Sequence, residues 1–322
     1  MATESAAGGE LLVVDTTGRS DYPREALAQL GGLPVRLEPR RAGSTEELVE
    51  CAADADAILI GGVAVTREAL QTLPRLRGIV RYGVGLDNVD LDAADELGVQ
   101  VRNVHDFCTE EIADHALGML LALVRRICHF AQRTRAGSWS AGRDAQIRRL
   151  RGQQAGVIGL GAIGSALATR LQALGMEVVA WDPYVEPAAA RELGVALVEL
   201  KELLRGSDVI SINCPLTDET RHLIGGAELS LMKPGAILIN TARGAIIDER
   251  ALIEALEAGE IAAAGLDVLE QEPPEEGNPL PGMPNVIVTP HVAWLSHRAK
   301  HDLVVGAFRQ LAEVLEKSRT RQ

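Results

Sequence analysis

Short, continuously apolar runs alternate along the first hundred residues with segments whose apolar positions recur at a helical period. The apolar runs lie at 11–15, 58–60 and 78–83. The helical patterns lie at 22–30, 45–52, 66–70 and 92–97. Strands that are apolar throughout are buried on both faces, which is typical of a parallel sheet covered by helices. The first third of the chain is therefore predicted to be a parallel α/β structure.

The same alternation returns after residue 153. Its apolar runs lie near 155–158, 177–181, 195–197, 208–212, 236–240, 262–266 and 286–288. One long amphipathic helix is predicted before them, from Glu110 to about Arg135, because Thr109 can cap its start and a basic cluster followed by Gly137 marks its end. A last helix, from His297 to Glu316, is predicted to be amphipathic and to fold back onto the first domain.

Composition limits the classes of function. The length of 322 residues suggests about two domains, and 47% hydrophobic residues with only 3% aromatic ones predict an aliphatic core. A net charge of −13 argues against a nucleic-acid partner, because binding a phosphate backbone needs clustered Lys and Arg. Four scattered cysteines without ligand spacing indicate reduced thiols and no metal site. With no signal-peptide pattern and no apolar stretch long enough to span a bilayer, we expect a cytoplasmic protein without a membrane partner.

A glycine motif follows directly on the apolar run at 155–158. Gly159 allows a tight turn, Gly161 lets the backbone approach a pyrophosphate, and Gly164 lets a helix pack closely on its strand. The amides at the start of that helix can then hold phosphate oxygens. Asp182 ends the second apolar run, where a carboxylate accepts hydrogen bonds from a ribose 2′-OH and repels a 2′-phosphate. The pattern predicts a dinucleotide-binding domain that prefers NAD to NADP.

Three chemically capable side chains follow three later strands of this domain. Arg243, Glu272 and His291 come after the runs near 236–240, 262–266 and 286–288. Ligands bind at the carboxyl ends of the strands in open α/β sheets, so these residues are expected to converge. A guanidinium can bind a carboxylate bidentately, an imidazole can exchange a proton with a hydroxyl near neutral pH, and a neighbouring carboxylate can orient that imidazole. The sequence therefore predicts an acid–base site with a carboxylate clamp.

At these residues the chain resembles the NAD-dependent D-isomer-specific 2-hydroxyacid dehydrogenase family. The resemblance runs in order over nearly the whole chain, through the segments 81–90, 111–115, 159–164, 240–244, 267–273 and 290–291. It implies two Rossmann-like parallel-sheet domains, with a cofactor domain at 105–293 inserted in a discontinuous, flavodoxin-like substrate domain at 1–104 plus 294–322. It also implies a homodimer in which the predicted helix from Glu110 to Arg135 packs across the two-fold axis.

The resemblance also implies a role for each matching residue. His291 would be the general acid and base, Glu272 its partner, and Arg243 the clamp for the carboxylate of a 2-keto or 2-hydroxy acid. The substrate would further meet Tyr82, Val84, Gly85 and Trp294. Besides the three glycines, Arg243 and His291, the residues implied to contact NAD are Ala162, Ile163, Asp182, Cys214, Pro215, Thr220, Thr241, Ala242 and Asp267.

Within the family the chain looks most like the branch of the C-terminal-binding proteins, from segments such as 182–184 and 291–296. That branch leaves an alternative open, an NAD-sensing, corepressor-like dimer whose output is binding rather than turnover. A phosphite- or phosphonate-type dehydrogenase, which keeps the same His, Glu and Arg, is a second alternative. Formate oxidation is disfavoured, because formate enzymes of this fold carry glutamine where Glu272 stands. Trp294 either walls the substrate's R-group or fills a domain hinge. Together with Ala64 and Tyr82 it suggests an apolar rather than a phosphorylated R-group.

Overall fold

A computed structural model describes the protein at residues 10–140 and 147–319. Its contacts divide the chain into two compact units. We call residues 1–107 with 296–322 the terminal unit and residues 108–295 the central unit, after their places in the sequence. Among the described residues, no helix is long and apolar enough to cross a membrane.

The terminal unit contains a five-stranded parallel sheet with the order β2-β1-β3-β4-β5. Its strands are β1 (Leu11–Asp15), β2 (Val35–Pro39), β3 (Ala57–Ile60), β4 (Gly78–Arg81) and β5 (Gln100–Asn103). The helices between them are α1 (Arg24–Ala28), α2 (Thr45–Ala52), α3 (Arg67–Gln71) and α4 (Leu91–Glu96). This strand order is the flavodoxin-like one, which confirms the fold predicted for this part of the chain.

The inner strands and the edge strands of this sheet differ in burial. Every residue of β1 and β3 is buried, and these strands were predicted from their apolar runs. The edge strands β2 and β5 include the polar residues Arg, Glu, Gln or Asn and contain no fully buried residue. They carry no continuous apolar run, and the sequence analysis did not predict them.

The central unit begins with two helices and continues as a seven-stranded parallel sheet. The helices are α5 (Thr109–Val124) and α6 (Ile127–Arg135). The strands are β6 (Gln154–Ile158), β7 (Glu177–Trp181), β8 (Ala196–Leu197), β9 (Val209–Ile212), β10 (Ile237–Asn240), β11 (Ala263–Leu266) and β12 (Val286–Val288). The remaining helices are α7 (Ala162–Ala173), α8 (Pro187–Glu192), α9 (Leu200–Gly206), α10 (Gly226–Leu229) and α11 (Glu249–Ala258).

The sheet order β12-β11-β10-β9-β6-β7-β8 reverses between β6 and β9. It is the doubly wound dinucleotide-binding order extended by one strand, and the crevice at the reversal is where such sheets bind ligands. All seven strands lie where the apolar runs predict them, which confirms the predicted fold class.

The single helix predicted from Glu110 to about Arg135 is wrong, because the chain breaks it in two. Arg126 adopts a left-handed backbone conformation with φ 53°, and its amide turns back to the carbonyl of Leu123. A break at a non-glycine residue leaves no signal in sequence periodicity, since tertiary packing rather than local preference fixes it. The first helix also begins at Thr109 itself, after Cys108, rather than at a Thr109 cap.

The last helix, α12 (His297–Arg319), belongs to the terminal unit, as predicted, and extends three residues past the predicted end at Glu316. It packs on α1, β4 and β5 through an apolar face on which Phe308 and Leu311 are fully buried. A side chain at Gly78 of β4 would overlap the Val314 side chain of this helix, so Val314 packs directly against the backbone of the strand.

Candidate active site

The turn between β6 and α7 is built by the glycine motif. Gly159 has φ +88°, and a Cβ there would lie 2.6 Å from the backbone nitrogen of Cys214. A Cβ at Gly164 would overlap the carbonyl oxygen of Gly159, so both positions exclude a side chain for steric reasons. Apart from its chain neighbours, no described atom lies within 4 Å of the Cβ position at Gly161, the residue directly before α7. The turn is closed on its protein side and open where a ligand would approach.

The open side of this turn faces the first amides of α7. Ala162 and Ile163 are the first two residues of the helix, where backbone N–H groups have no acceptor within the helix. An anionic group is the natural partner for them, because the helix dipole adds positive charge at this end.

Asp182 lies directly after β7 and is tied to the glycine turn. Its Oδ2 accepts a hydrogen bond from the Leu160 amide at 2.8 Å, and its Oδ1 accepts from the amides of Tyr184 at 2.9 Å and Val185 at 3.2 Å. Three backbone donors therefore fix the carboxylate in place without another side chain. A fixed carboxylate at the end of the second strand is suited to a ribose diol and unsuited to a 2′-phosphate.

Thr241 provides an independent indication of a ligand. It follows β10, it is buried, and its hydroxyl has no hydrogen-bond partner in the described part of the chain. A buried hydroxyl without a partner is costly unless something else fills its hydrogen-bonding capacity. The open glycine turn, the fixed carboxylate and this orphan hydroxyl together fit a bound nicotinamide dinucleotide.

The loop after β9 closes the same region. Cys214 is buried against the glycine turn, and burial, with a contribution from the charge of Asp182, raises the pKa of its thiol to about 11. Its neighbour Pro215 is exposed, and the Pro215 carbonyl accepts a hydrogen bond from the Thr220 hydroxyl at 2.7 Å. The Thr220 oxygen in turn accepts from the Thr217 amide at 2.7 Å. The Thr220 side chain therefore holds the conformation of this loop through hydrogen bonds within it.

His291 and Glu272 meet as the sequence predicts. His291 Nδ1 lies 2.7 Å from Glu272 Oε2, and the other carboxylate oxygen of Glu272 accepts from the Leu269 amide at 3.1 Å. Burial by itself would raise the pKa of Glu272, but the hydrogen bond and charge of His291, the Leu269 amide and the charge of Arg243 together hold that pKa below its ordinary value. An ionised Glu272 keeps a proton on Nδ1 and leaves Nε2 as the nitrogen that can exchange one.

The backbone around His291 is held by a buried carboxylate. Asp267 Oδ1 accepts from the Thr289 hydroxyl at 2.5 Å and the Val292 amide at 2.9 Å, and its Oδ2 accepts from the Ala293 amide at 2.8 Å. The His291 amide donates to the Asp267 carbonyl at 2.8 Å, and the residue adopts a left-handed conformation with φ 54°. Asp267 thus organises the loop that presents the imidazole.

Two residues of this network were missed by the sequence analysis as site residues. The Nε2 atom of His115, on α5, lies 3.0 Å from the Thr289 hydroxyl and 3.6 Å from Asp267 Oδ1. Both residues stand beside motifs that the sequence analysis used. His115 ends the 111–115 segment, and Thr289 lies two residues before His291.

Arg243 is placed by a tightly packed turn after β10. The Asn240 side chain donates to the Arg243 carbonyl at 2.8 Å and accepts from the Ala242 amide at 3.0 Å. A Cβ at Gly244 would overlap the backbone of Leu269, so the Arg243 turn lies directly against the segment that leads to Glu272. The guanidinium also donates to the Ala242 carbonyl at 2.8 Å. Arg243 is therefore close enough for its charge to act on the Glu272 carboxylate.

The predicted substrate residues fall in both units. Trp294 is partly buried in the central unit. Tyr82, Val84 and Gly85 follow β4 in the terminal unit, and the amides of Val84 and Gly85 donate to no acceptor among the residues that the structure describes.

Comparison with known proteins identifies the family. Residues 117–293 match the family model of the D-isomer specific 2-hydroxyacid dehydrogenases, NAD binding domain. The chain is 41% identical over 272 residues to the D-3-phosphoglycerate dehydrogenase of Methanocaldococcus jannaschii, covering 84% of this chain and 52% of that protein. It is also 41% identical over 261 residues to the glycerate dehydrogenase of Methylorubrum extorquens, covering 79% of this chain and 81% of that protein.

The solved structures agree with the sequence comparison. A glyoxylate reductase from Paecilomyes thermophila superposes with a TM-score of 0.86 and 30% identity, over 96% of both chains. The chain spans about half the length of the two phosphoglycerate dehydrogenases it matches from Methanocaldococcus jannaschii and Archaeoglobus fulgidus, 52% in each case. The matched segment covers the seven-stranded sheet of the central unit, which is an NAD-binding domain. The protein belongs to the D-isomer specific 2-hydroxyacid dehydrogenase family.

Proposed function

We propose that the protein is an NAD-dependent oxidoreductase that interconverts a 2-keto acid and a D-2-hydroxy acid. The observation that carries the proposal is the 2.7 Å pair between His291 Nδ1 and Glu272 Oε2, next to the Arg243 turn and on the sheet that carries the glycine motif. Its relatives include proteins named glycerate dehydrogenase, glyoxylate reductase and hydroxypyruvate reductase, which all act on small 2-keto or 2-hydroxy acids.

The acid–base step belongs to His291. In the reductive direction its protonated Nε2 donates to the carbonyl oxygen of the keto acid, which becomes the hydroxyl of the product. Glu272 stabilises the imidazolium through Nδ1 and fixes the direction in which Nε2 points. NADH supplies the hydride that reaches C2 of the keto acid when the cofactor is bound. In the oxidative direction the same Nε2 takes the hydroxyl proton back.

Substrate binding is assigned to a charged clamp and to backbone amides. Arg243 holds the substrate carboxylate with its guanidinium, whose planar fork matches two carboxylate oxygens. Val84 and Gly85 contribute their free amides to the same carboxylate. Tyr82 and Trp294 are assigned to the surroundings of the R-group. The loops at 61–64 and 82–86 contain no Lys or Arg, so we propose an apolar rather than a phosphorylated R-group.

Cofactor contacts are assigned to the turn and to the strand ends described above. Gly161 and the amides of Ala162 and Ile163 would hold the pyrophosphate, and Asp182 would accept hydrogen bonds from the ribose hydroxyls. The Thr241 hydroxyl, which has no partner among the described residues, would form a hydrogen bond with the cofactor. Cys214, Pro215, Thr220, Ala242 and Asp267 line the remainder of this proposed site.

A homodimer through the central unit is part of the proposal. The helix α5 and the strand β12 border an open, largely apolar depression lined by Gly118, Met119, Ala122, Ile287 and Leu295 among others. A second copy of the chain is the occupant that the family resemblance suggests. Light scattering after size-exclusion chromatography tests this point, and a monomer at micromolar concentration contradicts it.

The function is tested by following NADH absorbance with a panel of 2-keto acids. The panel runs from glyoxylate and pyruvate through branched, aromatic and methylthio members to phosphohydroxypyruvate, and NADPH replaces NADH in parallel. We expect turnover that prefers NADH and is fastest with an unphosphorylated acid. Measurable NADH binding without turnover of any acid contradicts the proposal and favours a binding protein or an unusual substrate.

A further inference from the structure

A buried carboxylate in the terminal unit holds a tyrosine at the start of the proposed substrate loop. Asp15 ends β1, Tyr82 follows β4, and the two are 67 residues apart in sequence. The Tyr82 hydroxyl donates to Asp15 Oδ2 at 2.9 Å, and Asp15 is fully buried. The hydroxyl of Tyr82 is therefore used inside the protein and is not offered to a substrate.

The other donors to Asp15 complete its hydrogen-bonding capacity. The Thr17 amide and hydroxyl donate to Oδ1 at 2.9 Å and 2.6 Å, and the Tyr22 hydroxyl lies 3.0 Å from Oδ2. Tyr22 also lies within hydrogen-bond distance of the Arg19 carbonyl and has one hydrogen for the two acceptors. A buried carboxylate with this many donors is a rigid anchor, since breaking any one contact leaves charge less compensated.

Both phenols stay protonated donors over the working pH range. Burial is the main cause that raises the pKa of Tyr82, and the nearby Asp15 raises it further. The same two causes raise the pKa of Tyr22. Neither tyrosine offers a general acid near neutral pH, so the cluster has a structural rather than a proton-transfer role.

Tyr82 is continuous with the loop whose amides are free. Its own amide donates to the Ile60 carbonyl at 2.8 Å, and the Gly83 carbonyl accepts from the Val104 amide at 3.2 Å. The Asn103 side chain donates to the Val84 carbonyl. These contacts direct the carbonyls of the loop into the terminal unit, whereas the amides of Val84 and Gly85 donate to no described residue.

We propose that Asp15 is a positioning residue for substrate recognition, because it holds Tyr82 and thereby fixes the amides of Val84 and Gly85 for the substrate carboxylate. This inference rests on the proposed function. Asp15 itself would touch neither the substrate nor the cofactor. Its effect reaches the substrate only through Tyr82 and the loop that follows.

The test compares two tyrosines that share one acceptor. Tyr82→Phe and Tyr22→Phe each remove a hydroxyl that faces Asp15 Oδ2, so each perturbs the same carboxylate, but only Tyr82 is joined to the amide loop. Tyr82→Phe is expected to raise the KM for the keto acid roughly 5- to 20-fold, the range expected when a hydrogen bond to a charged group is lost and the loop partly relaxes. The NADH Kd should stay unchanged, and Tyr22→Phe should leave both constants within about twofold of wild type.

A second measurement separates failure of this inference from failure of the proposed function. Amide hydrogen exchange at Val104, whose N–H donates to the Gly83 carbonyl, reports on the loop without any substrate. Faster exchange in Tyr82→Phe than in Tyr22→Phe supports the anchor even if no keto acid is turned over. Equal KM values for the two variants, or equal exchange at Val104, overturn the anchor, whereas absence of turnover in the wild-type protein overturns only the proposed function.

Discussion

The two sheets of this protein expose different chemistry at the carboxyl ends of their strands. In the central unit the strand ends carry side chains with unused capacity, such as the orphan hydroxyl of Thr241 and the Nε2 of His291. In the terminal unit the side chain at the end of β1, Asp15, is saturated by protein donors, and the groups that donate to no described residue include the backbone amides of Val84 and Gly85. Under the proposed function, the central unit supplies the proton transfer and the cofactor contacts, and the terminal unit helps to hold the substrate anion.

The comparison shows that two sheets of the same kind can carry different functional groups. Both sheets are parallel and both place loops at the same kind of edge, so fold alone does not distinguish them. What distinguishes them here is the kind of group that is left without a partner among the described residues: the Thr241 hydroxyl in the central unit, and the amides of Val84 and Gly85 in the terminal unit. Removing individual groups of the central unit should therefore lower activity, cofactor selectivity or stability according to the role proposed for each.

The largest effect is expected for His291→Ala. The variant removes the proposed proton donor, and turnover should fall by roughly 10²- to 10⁴-fold while NADH binding hardly changes. The matched control is His222→Ala. His222 also has a left-handed backbone and also pairs with a glutamate, with its Nε2 2.7 Å from Glu270 Oε1, but it lies outside the proposed machinery. Equal turnover by the His291 variant and wild type contradicts the assignment of the acid–base role.

Arg243→Lys is expected to have the next largest effect. An ammonium group keeps the charge but not the planar fork, so kcat/KM for the keto acid should fall by roughly 10- to 100-fold, chiefly through KM. Steady-state kinetics at saturating NADH measure this directly. Arg170→Lys is a suitable control, because Arg170 pairs with Glu110 and Asp114 on the same unit and should change stability rather than KM. Unchanged KM in the Arg243 variant disproves the clamp.

Asp182→Asn tests the preference between the two cofactors. The substitution keeps one oxygen for the backbone amides, replaces the other with an NH2 group that cannot accept from its amide, and removes the negative charge. NADH should therefore bind about tenfold more weakly, and the disadvantage of NADPH should shrink. Fluorescence titration with each cofactor gives both dissociation constants. Asp208→Asn serves as a comparison, since Asp208 accepts from the Gln154 amide at the opposite ends of the strands. If the ratio of the two dissociation constants is the same in Asp182→Asn and wild type, Asp182 does not select the cofactor.

The smallest effect is expected for the pH dependence of stability in Glu272→Gln. The pKa of Glu272 is depressed in the folded protein, so the ionised group stabilises the fold above its ordinary pKa of about 4.5 and loses that contribution as the pH falls through the lower folded value. The melting temperature of Glu272→Gln should therefore lie below that of wild type at pH 7, by no more than roughly 3 °C because the carboxylate is partly exposed, and the gap should close under acidic conditions. A gap that widens as the pH falls has the wrong sign for this pair.

Much of the fold was predictable because it depends on local pattern. The strands of the central unit are mostly apolar, and a run such as 236–240 identifies β10 without any knowledge of its neighbours. The edge strands β2 and β5 escaped prediction because a strand with one open edge needs no continuous apolar run. The break at Arg126 escaped because no glycine or proline marks it.

The candidate site also contains features that the sequence predicted and features that it did not. The pairing of His291 with Glu272 was predicted, since both follow strands whose carboxyl ends must meet at one edge. The role of Asp267 in holding the Thr289 to Ala293 loop was not, because it depends on the register between two neighbouring strands. The anchor between Asp15 and Tyr82 was not predicted for the same reason, as their contact crosses from β1 over β3 to β4.

The stereochemistry of the product tests the central claim most directly. The wild-type protein is incubated with NADH and the keto acid that it reduces fastest, and the hydroxy acid is resolved by chiral chromatography. The account predicts the D isomer, formed by the wild-type protein and by His222→Ala at equal rates. Formation of the L isomer, or of no hydroxy acid with any member of the panel, would contradict it.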